Sequence, residues 1–237
     1  MKGGCQMKKE RTNPKNEKLE PEIDVTNLQE NPVKKTKPRR QRKRPKYSKK
    51  YFRKMIGKRK KAFYEFIQAD YQTAIARGEQ LSSLESKDYD QAIVLTVPEP
   101  FYPGSRVNYR LDKTGKNNYN QIHDQALVTI LYFGEDHLHY YQSQIDHRTG
   151  HIANDVSGEV NYFDIVHIQT YLNYDNIEKP KYLILDLFLG LSDGTDVTFH
   201  LRNHQLFEGY ELEGLLTPTE QSILDLIKLK VRQAKQI

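Results

Sequence analysis

Residues 182–191, YLILDLFLGL, have leucine at every second position from 183 to 191. A period of two places these leucines on one face of a β-strand. Ser192-Asp193-Gly194 supplies a tight turn, and residues 197–201 (VTFHL) repeat the alternation on a returning strand. The pattern predicts a β-hairpin with one apolar face that another layer must cover.

The sequence upstream of this hairpin predicts more antiparallel strands. Apolar or alternating stretches predict strands at 126–133, 137–145, 159–165 and 167–174, with Gly134-Glu135-Asp136 as a turn and a further hairpin around 147–155 as an option. Residues 79–125 are less regular, because prolines interrupt the strand pattern that begins at Gln91. We expect 79–125 to be an irregular connection that includes a strand or a hairpin.

The sequence downstream of the hairpin predicts a C-terminal helix. Thr217, Pro218 and Glu220 form a capping box with proline at the first helical position. Apolar residues recur at helical spacing from Ile223 to Ala234 and form a broad face. We expect this helix to cover the open mouth of a bent antiparallel sheet.

Charge is strongly segregated along the chain. Residues 1–33 have 6 Lys/Arg and 6 Asp/Glu, residues 34–61 have 17 and none, and residues 62–237 have 14 and 25, which gives 0, +17 and −11 and the overall +6. Residues 1–45 are poor in apolar side chains, so we predict a disordered basic tail there. A block of 17 cations without an acid is typical of a segment that binds an anion.

Residues 46–78 predict a basic amphipathic helix. Apolar side chains from Phe52 to Ile75 recur at three- to four-residue spacing, Ser48 is a candidate N-cap, and Gly78 is a candidate C-terminal stop. The first half of this helix is basic and the second nearly neutral. We expect the second half to dock on the folded domain.

Residues 126–237, with several short antiparallel strands and one C-terminal helix, resemble the pleckstrin-homology-like (PH-like) fold in its bacterial versions. The resemblance is based on 133–141 (FGEDHLHYY), 158–165 (GEVNYFDI), the leucine hairpin and 199–203 (FHLRN). It implies an α+β fold, a curved, partly open antiparallel barrel capped by the C-terminal helix. Lipid-binding members carry Lys/Arg beside the loop between their first two strands, where this sequence has the acidic turn 134–136. Because 126–237 has 8 Lys/Arg against 16 Asp/Glu, we expect this domain to bind a protein rather than a lipid headgroup.

The basic tract is the strongest functional signal in the sequence. Its cations would neutralise phosphates and release counterions, which gives salt-sensitive binding to a polyanion. The predicted polyanion-binding residues are Lys34, Lys35, Lys37, Arg39, Arg40, Arg42, Lys43, Arg44, Lys46, Lys49, Lys50, Arg53, Lys54, Lys58, Arg59, Lys60 and Lys61. Aromatic and apolar residues among them are candidates for stacking on bases or for inserting into a membrane: Tyr47, Tyr51, Phe52, Met55 and Ile56.

These observations predict a non-catalytic adaptor, with the basic tract on nucleic acid and the acidic domain on a protein partner. One alternative is a peripheral membrane adaptor anchored to anionic lipid by the basic helix. Another is a small metal-dependent enzyme that uses histidines and acids near 135–151: His137, His139, His147 and His151 with Glu135, Asp136 or Asp146. We predict no catalytic residues, no cofactor and no metal.

Composition limits the location. No run of 18 apolar residues is present, so no transmembrane segment is predicted. The N-terminal sequence lacks the apolar stretch of a secretory signal, and Cys5 is the single cysteine. We expect a cytoplasmic protein associated with the nucleoid, with RNA or with a membrane.

Overall fold

The structure, a computed structural model, describes residues 51–52, 56–58, 60–113, 119–206 and 214–236. It contains ten strands and two α-helices in these ranges. In chain order they are β1 Ile56–Lys58, α1 Lys61–Ser82, β2 Gln91–Pro98, β3 Tyr109–Lys113, β4 Tyr119–His123, β5 Gln125–Phe133, β6 His137–Asp146, β7 His151–Asn161, β8 Ile165–Tyr174, β9 Tyr182–Leu191, β10 Asp196–Gln205 and α2 Pro218–Ala234.

Seven of these strands form two antiparallel sheets, ordered β2-β5-β6-β7 and β10-β9-β8. The two sheets come together where β2 contacts β10. On the opposite side, β7 and β8 are joined by a short 3-10 turn, Tyr162–Asp164, and have no further strand partner among the described residues. The α+β class with open sheets and a C-terminal helix is therefore confirmed.

The first sheet is covered on both faces. In β5, Leu131 and Phe133 face the core shared with the second sheet, whereas Ile130 and Tyr132 face α1. This is why 126–133 is an almost continuous apolar run, since a strand buried on both sides needs no polar alternation. The layers are accordingly α1, the first sheet, and then the second sheet with α2.

The leucine hairpin and the final helix form as the sequence predicts. Leu183, Leu185, Leu187 and Leu189 are at most 1% exposed in the core, where Ile223 and Ile227 of α2 also lie. The Thr217 hydroxyl accepts a hydrogen bond from the Glu220 amide, and the Glu220 carboxylate accepts one from the Thr217 amide. Both bonds satisfy backbone donors that the first turn of a helix leaves free.

The predicted helix over 46–78 is wrong in its bounds. Residues 56–58 form strand β1, and α1 begins at Lys61 and continues to Ser82, while 46–50, 53–55 and 59 lie outside the described residues. Gly78 does not end the helix. It lies against Tyr141, where a Cβ atom would come within 2.9 Å of the tyrosine Cβ, so it serves close packing of α1 on the sheet. The helix ends at Ser82, and the C-cap residue Ser83 adopts the left-handed conformation at φ 53°.

The first sheet begins upstream of residue 126. β2 pairs with β5 along its whole length, from Gln91 opposite Phe133 to Pro98 opposite Ala126. The predicted boundary at 126 thus falls between two neighbouring strands of one sheet.

A small third sheet is formed by β1 and by the β3–β4 hairpin, which lies between β2 and β5 in the chain. The β3–β4 hairpin pairs with β1, which runs parallel to β3 in the order β1-β3-β4. One face of this sheet meets the first half of α1, where the Asn120 side-chain amide donates to the Tyr64 hydroxyl at 3.1 Å. The Gln121 side chain reaches the backbone carbonyl of Gln205 at the end of β10 (3.3 Å). The third sheet therefore attaches the segment at the end of the basic tract to the two-sheet core.

Candidate polyanion site beside the first helix

The C-terminal end of the basic tract lies on the folded domain. Lys58, Lys60 and Lys61 are exposed there, at the end of β1 and the start of α1. The other predicted polyanion-binding residues lie outside the described ranges: Lys34, Lys35, Lys37, Arg39, Arg40, Arg42, Lys43, Arg44, Lys46, Lys49, Lys50, Arg53, Lys54 and Arg59.

Tyr51 and Phe52 do not present their rings to a ligand, contrary to the prediction. They are 4% and 7% exposed, because they pack with Phe63, Tyr64 and Ile67 of α1. The Tyr51 ring stacks on Phe63 with centroids 4.3 Å apart. Of the other residues predicted to stack on bases or to insert into a membrane, Ile56 is 48% exposed. Tyr47 and Met55 lie outside the described residues. An apolar residue between lysines signals burial as readily as insertion, and the sequence does not distinguish the two.

Arg110 of β3 connects the basic tract to the domain. Its Nη1 donates to the carbonyl oxygen of Tyr51 (2.8 Å) and its Nη2 to that of Lys58 (3.3 Å). The guanidinium carbon lies 4.1 Å from the centre of the Tyr51 ring, a cation–π geometry. A single buried side chain thus binds the chain on both sides of residues 53–55.

Asp112 neutralises this buried cation. Arg110 Nε donates to Asp112 Oδ1 at 2.6 Å, and the Tyr51 hydroxyl donates to Asp112 Oδ2. Burial, reinforced by the hydrogen bond to Asp112, raises the pKa of Tyr51 well above its usual range. The tyrosine is therefore a neutral hydrogen-bond donor, and the net charge of the buried Arg110–Asp112 pair is zero.

A fourth lysine lies beside the tract lysines. Lys113, exposed at the end of β3, is the register partner of Lys58 on β1. We call Lys58, Lys60, Lys61 and Lys113 the lysine platform. The first turn of α1 has no acidic residue and Lys60 makes no side-chain cap, so the positive end of the helix dipole adds to the positive charge there.

The sequence analysis did not identify Arg110, Asp112 and Lys113 as residues of the candidate site. Arg110 and Asp112 are two residues apart and share one strand face, which is the only local signal of their pairing. Their partner Tyr51 is 59 residues from Arg110. Only tertiary structure brings these groups together.

The histidines proposed for an enzyme are separated in space. His147 is 2% exposed, and its Nδ1 lies 2.8 Å from Asp70 of α1. The rings of His137 and His139 are 5.9 Å apart, and His139 Nδ1 lies 3.4 Å from Glu159, while His151 is exposed at the start of β7. Burial lowers the pKa of His139. Within the described ranges, no group of three His, Cys, Asp or Glu side chains is placed to bind a metal ion.

Two other histidines, His123 at the end of β4 and His204 near the end of β10, have lowered pKa values. Burial, reinforced by nearby His204 and His147, lowers the pKa of His123 to about 3. Burial and, to a smaller extent, the nearby positive charge of Arg202 lower the pKa of His204 to about 4. His123 Nε2 is excluded from solvent without a hydrogen-bond partner in the structure. Both imidazoles are therefore neutral at neutral pH.

Comparisons with protein-family models, with curated proteins and with solved structures found no match to this chain. Neither α1 nor α2, the helices in the described part of the chain, is long and apolar enough to cross a membrane.

Proposed function

We propose that this chain is a non-catalytic adaptor whose basic tract, residues 34–61, binds nucleic acid and whose acidic β-domain binds a protein partner. The observation that carries the proposal is the charge distribution, 17 cations without an acid in 28 residues followed by a segment of net charge −11. Such a block gains free energy by releasing counterions from a phosphate backbone.

The surroundings of Tyr51 and Phe52 favour nucleic acid over a membrane. An interfacial helix inserts an apolar face into the lipid. Here both aromatic residues are buried against α1, and 56–58 is a strand. The exposed groups that follow are the lysines of the platform, which suit phosphates at a polar surface.

A PH-like domain beginning at β2 is part of the proposal. Four antiparallel strands followed by three more and a C-terminal helix support it. Counted from β2, the connection between the first two strands is 99–124 rather than the acidic turn 134–136. The acidic turn therefore gives no argument against phosphate binding by this domain, and binding to lipid must be measured beside binding to nucleic acid.

The edge of the second sheet supports the protein-binding half of the proposal. β8 is ten residues long, contains no Asp, Glu, Lys, Arg or Pro, and has no neighbour beyond β9 in the described structure. Natural edge strands usually carry charge or proline that prevents pairing. Val166 and Tyr171 are 61% and 41% exposed on this edge. An extended segment of a partner could extend the sheet by main-chain hydrogen bonds.

The nucleic-acid half is tested by fluorescence anisotropy of the full chain with a labelled DNA duplex and a single-stranded RNA over a series of salt concentrations. The test variant replaces Arg39, Arg40, Arg42, Lys43 and Arg44 by Gln. For the duplex we expect the slope of log K against log salt to fall by about 0.9 for each lost phosphate contact. Anionic vesicles are measured in parallel. Vesicle binding without nucleic-acid binding would overturn the proposal in favour of the membrane adaptor.

The protein-binding half is tested by recovering the partner from cells and repeating the recovery with Thr170→Lys, which places a charge on the β8 edge. We expect this variant to lose the partner. The matched control is Ser222→Lys, which adds the same charge at an exposed position of α2. Equal recovery with both variants would rule out the β8 edge.

A further inference from the structure

We infer that Arg110 is a positioning residue that fixes the lysine platform as a preformed phosphate-binding surface. This inference rests on the proposed function, because it names the part of the basic tract that binds with defined geometry. Arg110 itself is 4% exposed, so it does not contact the nucleic acid.

The contacts of Arg110 show how the platform is fixed. The Arg110 guanidinium donates hydrogen bonds to the backbone carbonyls of Tyr51 and Lys58. The Tyr51 ring packs against the same guanidinium, and the Tyr51 hydroxyl donates to Asp112. β1 is thereby attached to β3, which brings Lys58 into register with Lys113. Lys60 and Lys61 follow directly at the start of α1.

Gly57 is a second feature that this arrangement requires. A Cβ atom at position 57 would overlap the Arg110 guanidinium, and its second nearest atom would be Arg110 Cζ at 3.1 Å. An alanine there would displace the guanidinium and weaken its bond to the Lys58 carbonyl. The backbone at 57 and the side chain at 110 therefore form one unit.

The charges on the platform point to an anion. Lys58 and Lys113 carry like charges at register positions of the parallel strands β1 and β3. Lys60 and Lys61 lie at the positive end of the α1 dipole, which disfavours cations. The phosphates of a nucleic-acid backbone would interact favourably with this concentration of positive charge.

A preformed surface binds more tightly than the same charges on a chain that must be ordered. Ordering one long side chain at an interface costs about 0.5–1.5 kcal/mol, which corresponds to roughly two- to tenfold in affinity. Each platform lysine should therefore contribute more to binding than a lysine from the start of the tract.

The experiment compares two matched triple variants of the full chain with a labelled DNA duplex. One is Lys58→Gln/Lys60→Gln/Lys61→Gln, and the other is Lys34→Gln/Lys35→Gln/Lys37→Gln. We expect the platform triple to lose roughly two- to tenfold more affinity per lysine. Arg110→Lys keeps the net charge but cannot make both carbonyl bonds and the ion pair, so we expect it to weaken binding like the platform triple. Arg77→Lys, at an arginine bonded to Asp155, is the control and should bind as the wild type.

Circular dichroism shows whether Arg110→Lys is folded. If it is not, Gly57→Ala and the two triples decide the question, because the side chains of Lys58, Lys60 and Lys61 are exposed. Equal losses in the two triples, with wild-type binding by Arg110→Lys or Gly57→Ala, would overturn the inference and leave the proposed function standing. A wild-type chain that binds neither DNA nor RNA at low salt would refute both.

Discussion

Arg202 of β10 and Glu220 of α2 form a buried ion pair that joins the last strand to the last helix. Arg202 Nε donates to Glu220 Oε1 at 2.6 Å, and Arg202 Nη2 pairs with Oε2. Glu220 also belongs to the capping box of α2, and Arg202 Nη2 reaches the carbonyl oxygen of Leu215 at 3.2 Å. The start of the helix is thus fixed from within the domain.

Replacing Glu220 by Ala should lower the free energy of unfolding by about 3–5 kcal/mol, because the buried Arg202 would lose its carboxylate partner. Asp225→Ala, at an exposed acid of the same helix, should change it by less than about 0.5 kcal/mol. Urea denaturation followed by circular dichroism measures both. Similar effects of the two substitutions would contradict the buried pair.

Removing the Tyr51 hydroxyl tests the contact between the basic tract and the third sheet. Tyr51→Phe leaves one oxygen of the fully buried Asp112 without this donor, which should cost about 1–3 kcal/mol. Tyr174→Phe, at a tyrosine that is 47% exposed, is the matched control and should be nearly neutral. If thermal unfolding shows both variants to be as stable as the wild type, the Tyr51 hydroxyl does not donate to Asp112 as described.

Gly78→Ala should destabilise the protein although alanine is the better helix former. Helix propensity alone would give a gain of about 1 kcal/mol. The new methyl group would instead press on Tyr132 and Tyr141, and overpacking of this kind costs about 1–3 kcal/mol. Ala76→Gly, at an exposed position of the same helix, should lose about 1 kcal/mol by propensity alone. A stabilised Gly78→Ala would show that α1 does not pack closely on the sheet.

Acid should unfold the protein partly through His123 and His204. Their pKa values in the fold, about 3 and about 4, lie below the unfolded value of 6.5. The unfolded state therefore binds more protons between these limits. Their contribution to stability is fully present above pH 6.5 and is lost as the pH falls towards 4 and then 3.

His123→Gln should reduce this pH dependence by up to about 1.4 kcal/mol per pH unit between pH 6 and 4, where one proton fewer is taken up on unfolding. Urea denaturation at a series of pH values measures the slopes. Parallel curves for the wild type and His123→Gln would show that His123 is not buried in its neutral form.

The limits of prediction differ between the two halves of the structure. The leucine hairpin and α2 were predicted because their information is local: alternation at 183–191, a turn at 192–194, and a capping box from Thr217 to Glu220. The bounds of α1 were not predicted correctly. Apolar residues recur at helical spacing from Phe52 onward, although residues 56–58 form a strand that pairs with β3. For Gly78, local propensity gave the wrong answer because the neighbour that requires a glycine is Tyr141, 63 positions away.

The candidate site also has one part that the sequence predicts and another that depends on the fold. The number, sign and density of the charges in the basic tract follow from composition alone, because net charge is a sum over residues that needs no coordinates. Only the tertiary structure decided which residues lie on the domain: Tyr51 turns inward, Arg110 and Asp112 form its buried pair, and Lys58 lies beside Lys113. Tyr51 and Lys58 are about 50 to 60 positions from their partners Arg110 and Lys113. The free energy that selects these contacts comes from burial and from buried hydrogen bonds that exist only once the third sheet has formed.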